Sequence, residues 1–166
     1  MIQRQLLAVN LIASCEGLRL NAYLDSRGIP TIGFGTIVYP NGVKVKMGDK
    51  ITSDQAKSYL NDHLEKFVYP AVNKLIGSSV VPDKVYAALC SIAYNNGTGI
   101  LLNNSFIAAV GSKNWGTFKD NGDGNFSTTG LASVFIQYIK VRNRDGVLVP
   151  CDGLINRRVS EIKSFV

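Results

Sequence analysis

The stretch Glu16-Gly-Leu-Arg-Leu-Asn-Ala-Tyr-Leu-Asp25-Ser-Arg-Gly-Ile-Pro-Thr31-Ile-Gly-Phe-Gly-Thr36 sets two carboxylates and a hydroxyl within one short run bounded by glycines. Ahead of it Leu6, Val9 and Ala13, and beside them Leu7 and Leu11, recur at helical spacing. Gly17 suits the C-terminus of that helix, which leaves Glu16 on its last turn, pointing into whatever cleft the next segment makes. Beyond the glycine the period changes to two. Asn21, Tyr23 and Asp25 share one face of a strand, Thr31, Gly33 and Gly35 share one face of its partner, and Ser26 to Pro30 form the turn. Asp25 and Thr31 are then expected to face each other, and Gly33 and Gly35 to offer bare backbone against which a bulky ligand can lie.

The spacing has a chemical reason. Cleaving a glycosidic bond takes one protonated carboxyl to give a proton to the leaving oxygen and a second, ionised carboxylate to activate water or attack. A helix end and a strand end can hold two such groups apart. A threonine hydroxyl beside the second can orient the attacking water, which favours direct displacement with inversion.

Glu16-Gly-Leu-Arg19, Ala22-Tyr-Leu-Asp25 and Thr31-Ile-Gly-Phe-Gly-Thr36 resemble the catalytic segment of phage-type lysozymes, the endolysins of glycoside hydrolase family 24. Ala87 to Gly97 resembles that family's helix and glycine turn on the far side of the cleft, and Gly153-Leu-Ile-Asn-Arg157-Arg158-Val-Ser-Glu161 its C-terminal helix. Gly111 to Gly130 matches nothing in the family's pattern. The resemblance implies an α+β, mainly helical fold: a small lobe with a three-stranded antiparallel sheet (about 13–52), a long connecting helix (about 53–76) and a larger helical lobe (about 77–166) on which helix 1–16 packs. It implies a muramidase cleaving the bond between N-acetylmuramic acid and N-acetylglucosamine in peptidoglycan. Glu16 would be the general acid, Asp25 the carboxylate that activates water or stabilises positive charge, and Thr31 the water positioner. Ile37, Tyr94, Asn95 and Ser105 are candidate sugar contacts, although Tyr94 reads equally well as core and Asn95 as a helix cap. By resemblance Arg157 reaches Glu16, whereas Arg158 is expected to pair with Glu161 or solvent on a helix face. An arginine beside a carboxyl favours the ionised form and burial the protonated one, so the two influences oppose each other.

As an endolysin the chain would be a monomer that accumulates in the host cytoplasm and reaches the periplasm and cell wall through a separate holin-type pore. Two other readings remain. A lytic transglycosylase cleaves the same bond with one acid and no water, against which Asp25 and Thr31 both speak. A non-catalytic peptidoglycan-binding protein would have no use for the three residues together.

Composition sets limits on partners. The chain has 166 residues, 46% hydrophobic and 18% charged, enough for one domain with a real core. A net charge of +6 favours a polyanionic environment, yet no Lys/Arg run exceeds Arg157-Arg158 and no nucleic-acid module is visible, which argues against DNA or RNA. Cys15, Cys90 and Cys151 form no CxxC pair, so a disulfide framework is not expected; the first two read as small buried residues and the third as a loop thiol. With His63 the one histidine, on a helix flank, no metal or cofactor is expected.

The apolar run Leu6 to Ser14 before Cys15 imitates a signal peptide with a lipoprotein box, but Asn10 interrupts it, it is too short for a bilayer, and cleavage would remove the helix that positions Glu16. Stable membrane insertion is not expected. Ile37 to Tyr39 and Val43 to Lys46 read as strands around Pro40-Asn-Gly42. Thr52 and Gln55 form a capping box for a helix with the stripe Ala56, Leu60, Leu64, Phe67, Ala71 and Leu75, which Pro70 should kink or interrupt. Asp83 to Tyr94 is apolar on several faces, the mark of a central helix. Asp120 to Asn125 fails the calcium-loop pattern and reads as a solvated loop. A helix from Leu131 to Lys140, a turn at Asn143 to Gly146 and a helix from about Leu154 to Phe165 close the chain.

Overall fold

A computed structural model of the chain describes residues 2–25, 27–122, 125–143 and 145–166. Ser26 of the first turn, Asp123 and Gly124 of the Asp120–Asn125 loop and Arg144 of the last turn lie outside the described residues.

Helix α1 (Gln3–Glu16) buries Ala8 and Ile12, with Leu7, Val9, Leu11 and Ala13 packed around them, while Leu6 is exposed. Its core face is thus rotated from the Leu6/Val9/Ala13 line. The helix stops at Gly17, whose φ of 68° lies in the left-handed region that a Cβ disfavours. Strands β1 (Arg19–Leu24) and β2 (Pro30–Gly33) then pair antiparallel, with Tyr23 opposite Thr31 and Leu24 opposite Pro30. The expected pairing is therefore corrected: Asp25 lies one step beyond the ladder, donating its N–H to Ile29 O at 3.0 Å, and is the same-face neighbour of the Tyr23–Thr31 pair.

The expected three-stranded sheet is also corrected. This sheet has two strands, and Val38 and Lys44 meet only in an isolated bridge. The physical reason is the Gly33-Phe-Gly35 turn. Ile32 and Thr36 exchange both backbone hydrogen bonds across it, at 2.9 and 2.8 Å, turning the chain back on itself so that residues 37–45 cannot extend the ladder. The free edge of β1 is met instead by residues 49–51, through Ala22 N–H to Asp49 O and Ile51 N–H to Leu20 O, each 2.9 Å.

The connector is helical from Ser53 to Ile76, but in three parts: α2 (Ser53–His63), a wide π turn (Leu64–Val68) and α3 (Tyr69–Ile76). Thr52 and Gln55 cap its start reciprocally, at 2.8 and 3.2 Å. Pro70 has no N–H to give, and the preceding turn opens until Tyr69 N–H bonds back to Leu64 O, five residues away. The extra residue shifts the buried stripe. Ala56, Leu60 and Leu64 are followed by Val68, Val72 and Ile76 rather than by Phe67, Ala71 and Leu75, and Phe67 is 56% exposed.

Helix α4 (Asp83–Asn96) is the axis of the helical part, with every residue from Val85 to Ala93 buried. A 3-10 turn (Thr98–Leu102) leads to α5 (Asn104–Gly111). The unmatched segment that follows folds as a hairpin of β3 (Phe118–Asp120) and β4 (Phe126–Thr128), in which Phe118 and Phe126 stack with centroids 5.4 Å apart. Its base is closed without spare room, since a Cβ on Gly116 would fall 1.8 Å from Thr129 O. Helix α6 (Gly130–Phe135) ends five residues short of the expected Lys140, because β5 (Lys140–Arg142) pairs with β6 (Leu148–Pro150) in a third small hairpin. Helix α7 (Asp152–Phe165) starts two residues before the expected Leu154 and packs on α4. Cys90 is buried, while Cys15 and Cys151 are each half-buried, and all three are free thiols.

Gly33 does not face a ligand. A Cβ there would sit 3.3 Å from both Ala56 Cβ and Ile51 Cδ1, and its φ is 66°. Gly33→Ala is expected to cost about 1–3 kcal/mol through left-handed backbone and crowding against α2, read as a lower midpoint in urea unfolding with an unchanged slope.

Candidate active site

One cleft of about 870 Å³ runs between the hairpin and the helices, and Glu16, Asp25 and Thr31 all line it. Ile37, Tyr94 and Asn95 line it too, whereas Ser105, the second residue of α5, does not. His63 and Phe67 complete part of the wall: the His63 ring lies 5.2 Å from Tyr94 edge-on and 5.1 Å from Phe67. Burial lowers the imidazole's basicity. Lys66 and Phe67 line the same wall, each four residues on from Asp62 and His63, and Lys66 pairs with Asp62 at 2.8 Å.

Glu16 projects from the end of α1 with its two oxygens in different surroundings. Oε1 accepts from Arg157 Nη1 at 2.5 Å, and Oε2 faces Gly35, where an added Cβ would lie 3.5 Å from it and 3.7 Å from the Tyr94 hydroxyl. Gly35, unlike Gly33, does open backbone to the cleft. Tyr94 is itself fixed, donating its O–H to Phe34 O at 2.7 Å, and burial holds its phenol well above the usual range.

Asp25 belongs to the turn. Its Oδ1 accepts the N–H groups of Arg27 and Ile29 at 2.8 and 2.9 Å, and these bonds with the Arg27 guanidinium keep its carboxyl below the usual carboxylate range, Ile29 foremost. Thr31, 3% exposed, donates its hydroxyl proton to Ile29 O at 2.9 Å, which leaves the oxygen's lone pairs as acceptors.

Behind Glu16 lies a buried charge network. Glu161, with no exposed surface, accepts on Oε1 from Ser91 Oγ at 2.6 Å, Arg158 Nη2 at 2.8 Å and Arg157 Nε at 3.1 Å. Arg157 also donates to Ser91 O at 3.2 Å, and Arg158 to Asn95 Oδ1 at 3.2 Å. Burial pushes the Glu161 carboxyl up, while Arg158, Ser91 and Arg157 oppose the rise. Arg158 does pair with Glu161 as expected, but inside the protein rather than on a solvated face, and it braces a cleft-wall side chain. Ser91 and Glu161 were not among the sequence candidates. The i+4 and i+3 spacings of Glu161 from Arg157 and Arg158 are the one visible signal, and they say nothing about what the helix packs against.

A second hollow of about 560 Å³ shares Tyr39, Pro40 and Tyr59 with the cleft and is bordered by Lys44, Lys46 and Lys50. Asp49, the acid among them, is occupied internally by the Tyr39 hydroxyl at 2.8 Å and Lys46 N–H at 2.9 Å. Among the described residues no group of three or more His, Cys, Asp or Glu side chains could hold a metal ion.

A helix-end glutamate backed by arginine, a hairpin aspartate and a threonine thus line one cleft. The phage lysozyme family model matches residues 13–161. The chain is 34% identical over 105 residues to the endolysin of Salmonella phage P22, covering 63% of this chain and 70% of that one. It is 34% identical over 159 residues to the endolysin of Bacillus phage PZA, covering 95% of this chain but 52% of the relative, so it spans about half of that protein's length. Among solved structures, the endolysin from Escherichia coli O157:H7 phage FAHEc1 superposes with a TM-score of 0.83 at 37% identity, over 99% of this chain and 94% of that one. The chain belongs to the phage lysozyme family, the glycoside hydrolases that cut peptidoglycan.

Glu161→Gln removes the central charge and leaves two buried arginines short of a partner. The expected cost is about 3–5 kcal/mol, measured by denaturant unfolding.

Proposed function

We propose that the chain hydrolyses the β-1,4 bond between N-acetylmuramic acid and N-acetylglucosamine by single displacement with inversion, as the lytic enzyme of a phage. The observation that carries this is the meeting of Glu16, Asp25 and Thr31, from a helix end and two sides of a hairpin, on one cleft. Glu16 is the general acid. With Oε1 held by Arg157, the proton leaves from Oε2, on the Gly35 side, to the glycosidic oxygen. As it leaves, Glu16 becomes an anion beside a guanidinium already in place, so the developing charge is stabilised without reorganisation.

Asp25 takes a proton from water, and Thr31, whose own proton is spent on Ile29 O, accepts the water's other hydrogen and fixes its approach. Ile37, Tyr94 and Asn95, whose amide oxygen Arg158 holds, line the path of the sugars. The positive charge suits an anionic wall polymer: residues 17–52 carry five basic and two acidic side chains, half of the net +6. The chain acts as a single domain and a monomer, and passes from host cytoplasm to wall through a separate pore. Among the described residues no helix is long and apolar enough to cross a membrane.

Purified peptidoglycan digested with the protein should give fragments that gain one water per cut and end in reducing muramic acid. NMR of the first products should show the α anomer. Anhydro ends would establish a transglycosylase instead, and β anomers a retaining route. Glu16→Gln should lower kcat by about 10²–10⁴-fold, the usual share of a general acid, with unfolding midpoint and wall binding retained. Undiminished lysis would remove Glu16 from the reaction.

A further inference from the structure

Asp25 reaches the cleft with its acceptor capacity already used. Oδ1 accepts the backbone N–H groups of Arg27 and Ile29, at 2.8 and 2.9 Å, and Oδ2 accepts Nε and Nη2 of the Arg27 side chain, at 3.2 and 3.0 Å. An ionised carboxylate offers about four lone-pair sites, and a base that takes a proton from water needs one of them free. The two pairs of bonds differ in kind. Those on Oδ1 come from the turn's own backbone, which also closes through Asp25 N–H to Ile29 O and Gly28 N–H to Asp25 O, at 3.0 and 2.9 Å. Those on Oδ2 come from one side chain that is 69% exposed and itself lines the cleft. Oδ2 can therefore be freed by a rotamer change, and Oδ1 only by unmaking the turn.

We propose that Arg27 is a positioning residue that clamps Asp25 between turnovers and must leave Oδ2 before water is activated, so that the base works through Oδ2. The inference rests on the reading of Asp25 as the water-activating carboxylate. It gives Arg27 two opposed effects. Closed, the guanidinium helps keep Asp25 deprotonated in mildly acid conditions, so the base stays charged. It also competes with the water that the base must bind. An exposed ion pair of this kind is weak enough to open on the way to reaction.

The sign of the pH effect follows. Asp25 has a lowered pKa, and removing Arg27 raises it, so the acid limb of the rate profile must move to higher pH. On soluble peptidoglycan fragments at saturating concentration, Arg27→Ala and Arg27→Gln are both expected to show this movement together with a severalfold higher kcat on the neutral plateau, with unfolding midpoints near that of the parent. An unmoved acid limb, or a plateau that is unchanged or lower in both variants, would overturn the clamp. Asp25→Asn in the same assay separates the two levels. If it keeps its activity, the reading of Asp25 as base fails. If it is inactive while the Arg27 variants behave as the parent, that reading stands and the clamp alone fails.

Discussion

Glu161, a carboxylate with no exposed surface held between two arginines, is the constraint on which the site depends. Each ion of the cluster would be costly to bury alone, by several kcal/mol in proteins generally. The cost is offset only when α7 brings Arg157, Arg158 and Glu161 against Ser91 of α4 and Glu16 of α1. Docking of these helices and orientation of the Glu16 carboxyl are then one event. A well-packed apolar cluster could hold the same helices together at no worse stability. It could not reach out and grip one oxygen of Glu16 while leaving the other in the cleft.

The two carboxylates are held by contrasting means. Glu16 is anchored to a buried lattice of charges that spans three helices, and Asp25 by bonds within five residues of one turn. The first cannot relax without disturbing the core; the second can change partners locally. The proposed reaction, in which Glu16 holds a proton in place and Asp25 exchanges ligands at each turnover, suits this division.

Much of the fold was legible because local chemistry decided it. Gly17 ended α1 and put Glu16 at the cleft, the Thr52–Gln55 box began the connector, and the apolar faces of Asp83 to Tyr94 marked the central helix. The errors have two causes. The 49–51 segment that took the edge of β1 and the inward turn of Arg158 were set by contacts between distant segments, while the pairing of Tyr23 with Thr31 was set by the bonds of the Asp25–Ile29 turn. Period and spacing carry no record of them. Ser91 was invisible for the first reason: a small polar residue in an apolar helix looks incidental until a buried carboxylate is placed 2.6 Å away. Ser105 lies apart from the cleft-lining residues, since proximity to the Asn95–Gly97 turn along the chain does not by itself place a side chain on that wall.

The wide turn at Leu64–Val68 has a meaning for how this chain compares with others. One residue of the connector belongs to the turn's extra width rather than to the helical repeat, and from there on the inward positions run 68, 72, 76 where a regular helix would have 67, 71, 75. A relative with an unbroken α-helix here would match it best with a one-residue gap inside the helix, where alignments conventionally forbid gaps. Forced into ungapped register, every buried residue of one chain's α3 would be set against a surface residue of the other's, and the helix would look divergent where its packing is the same.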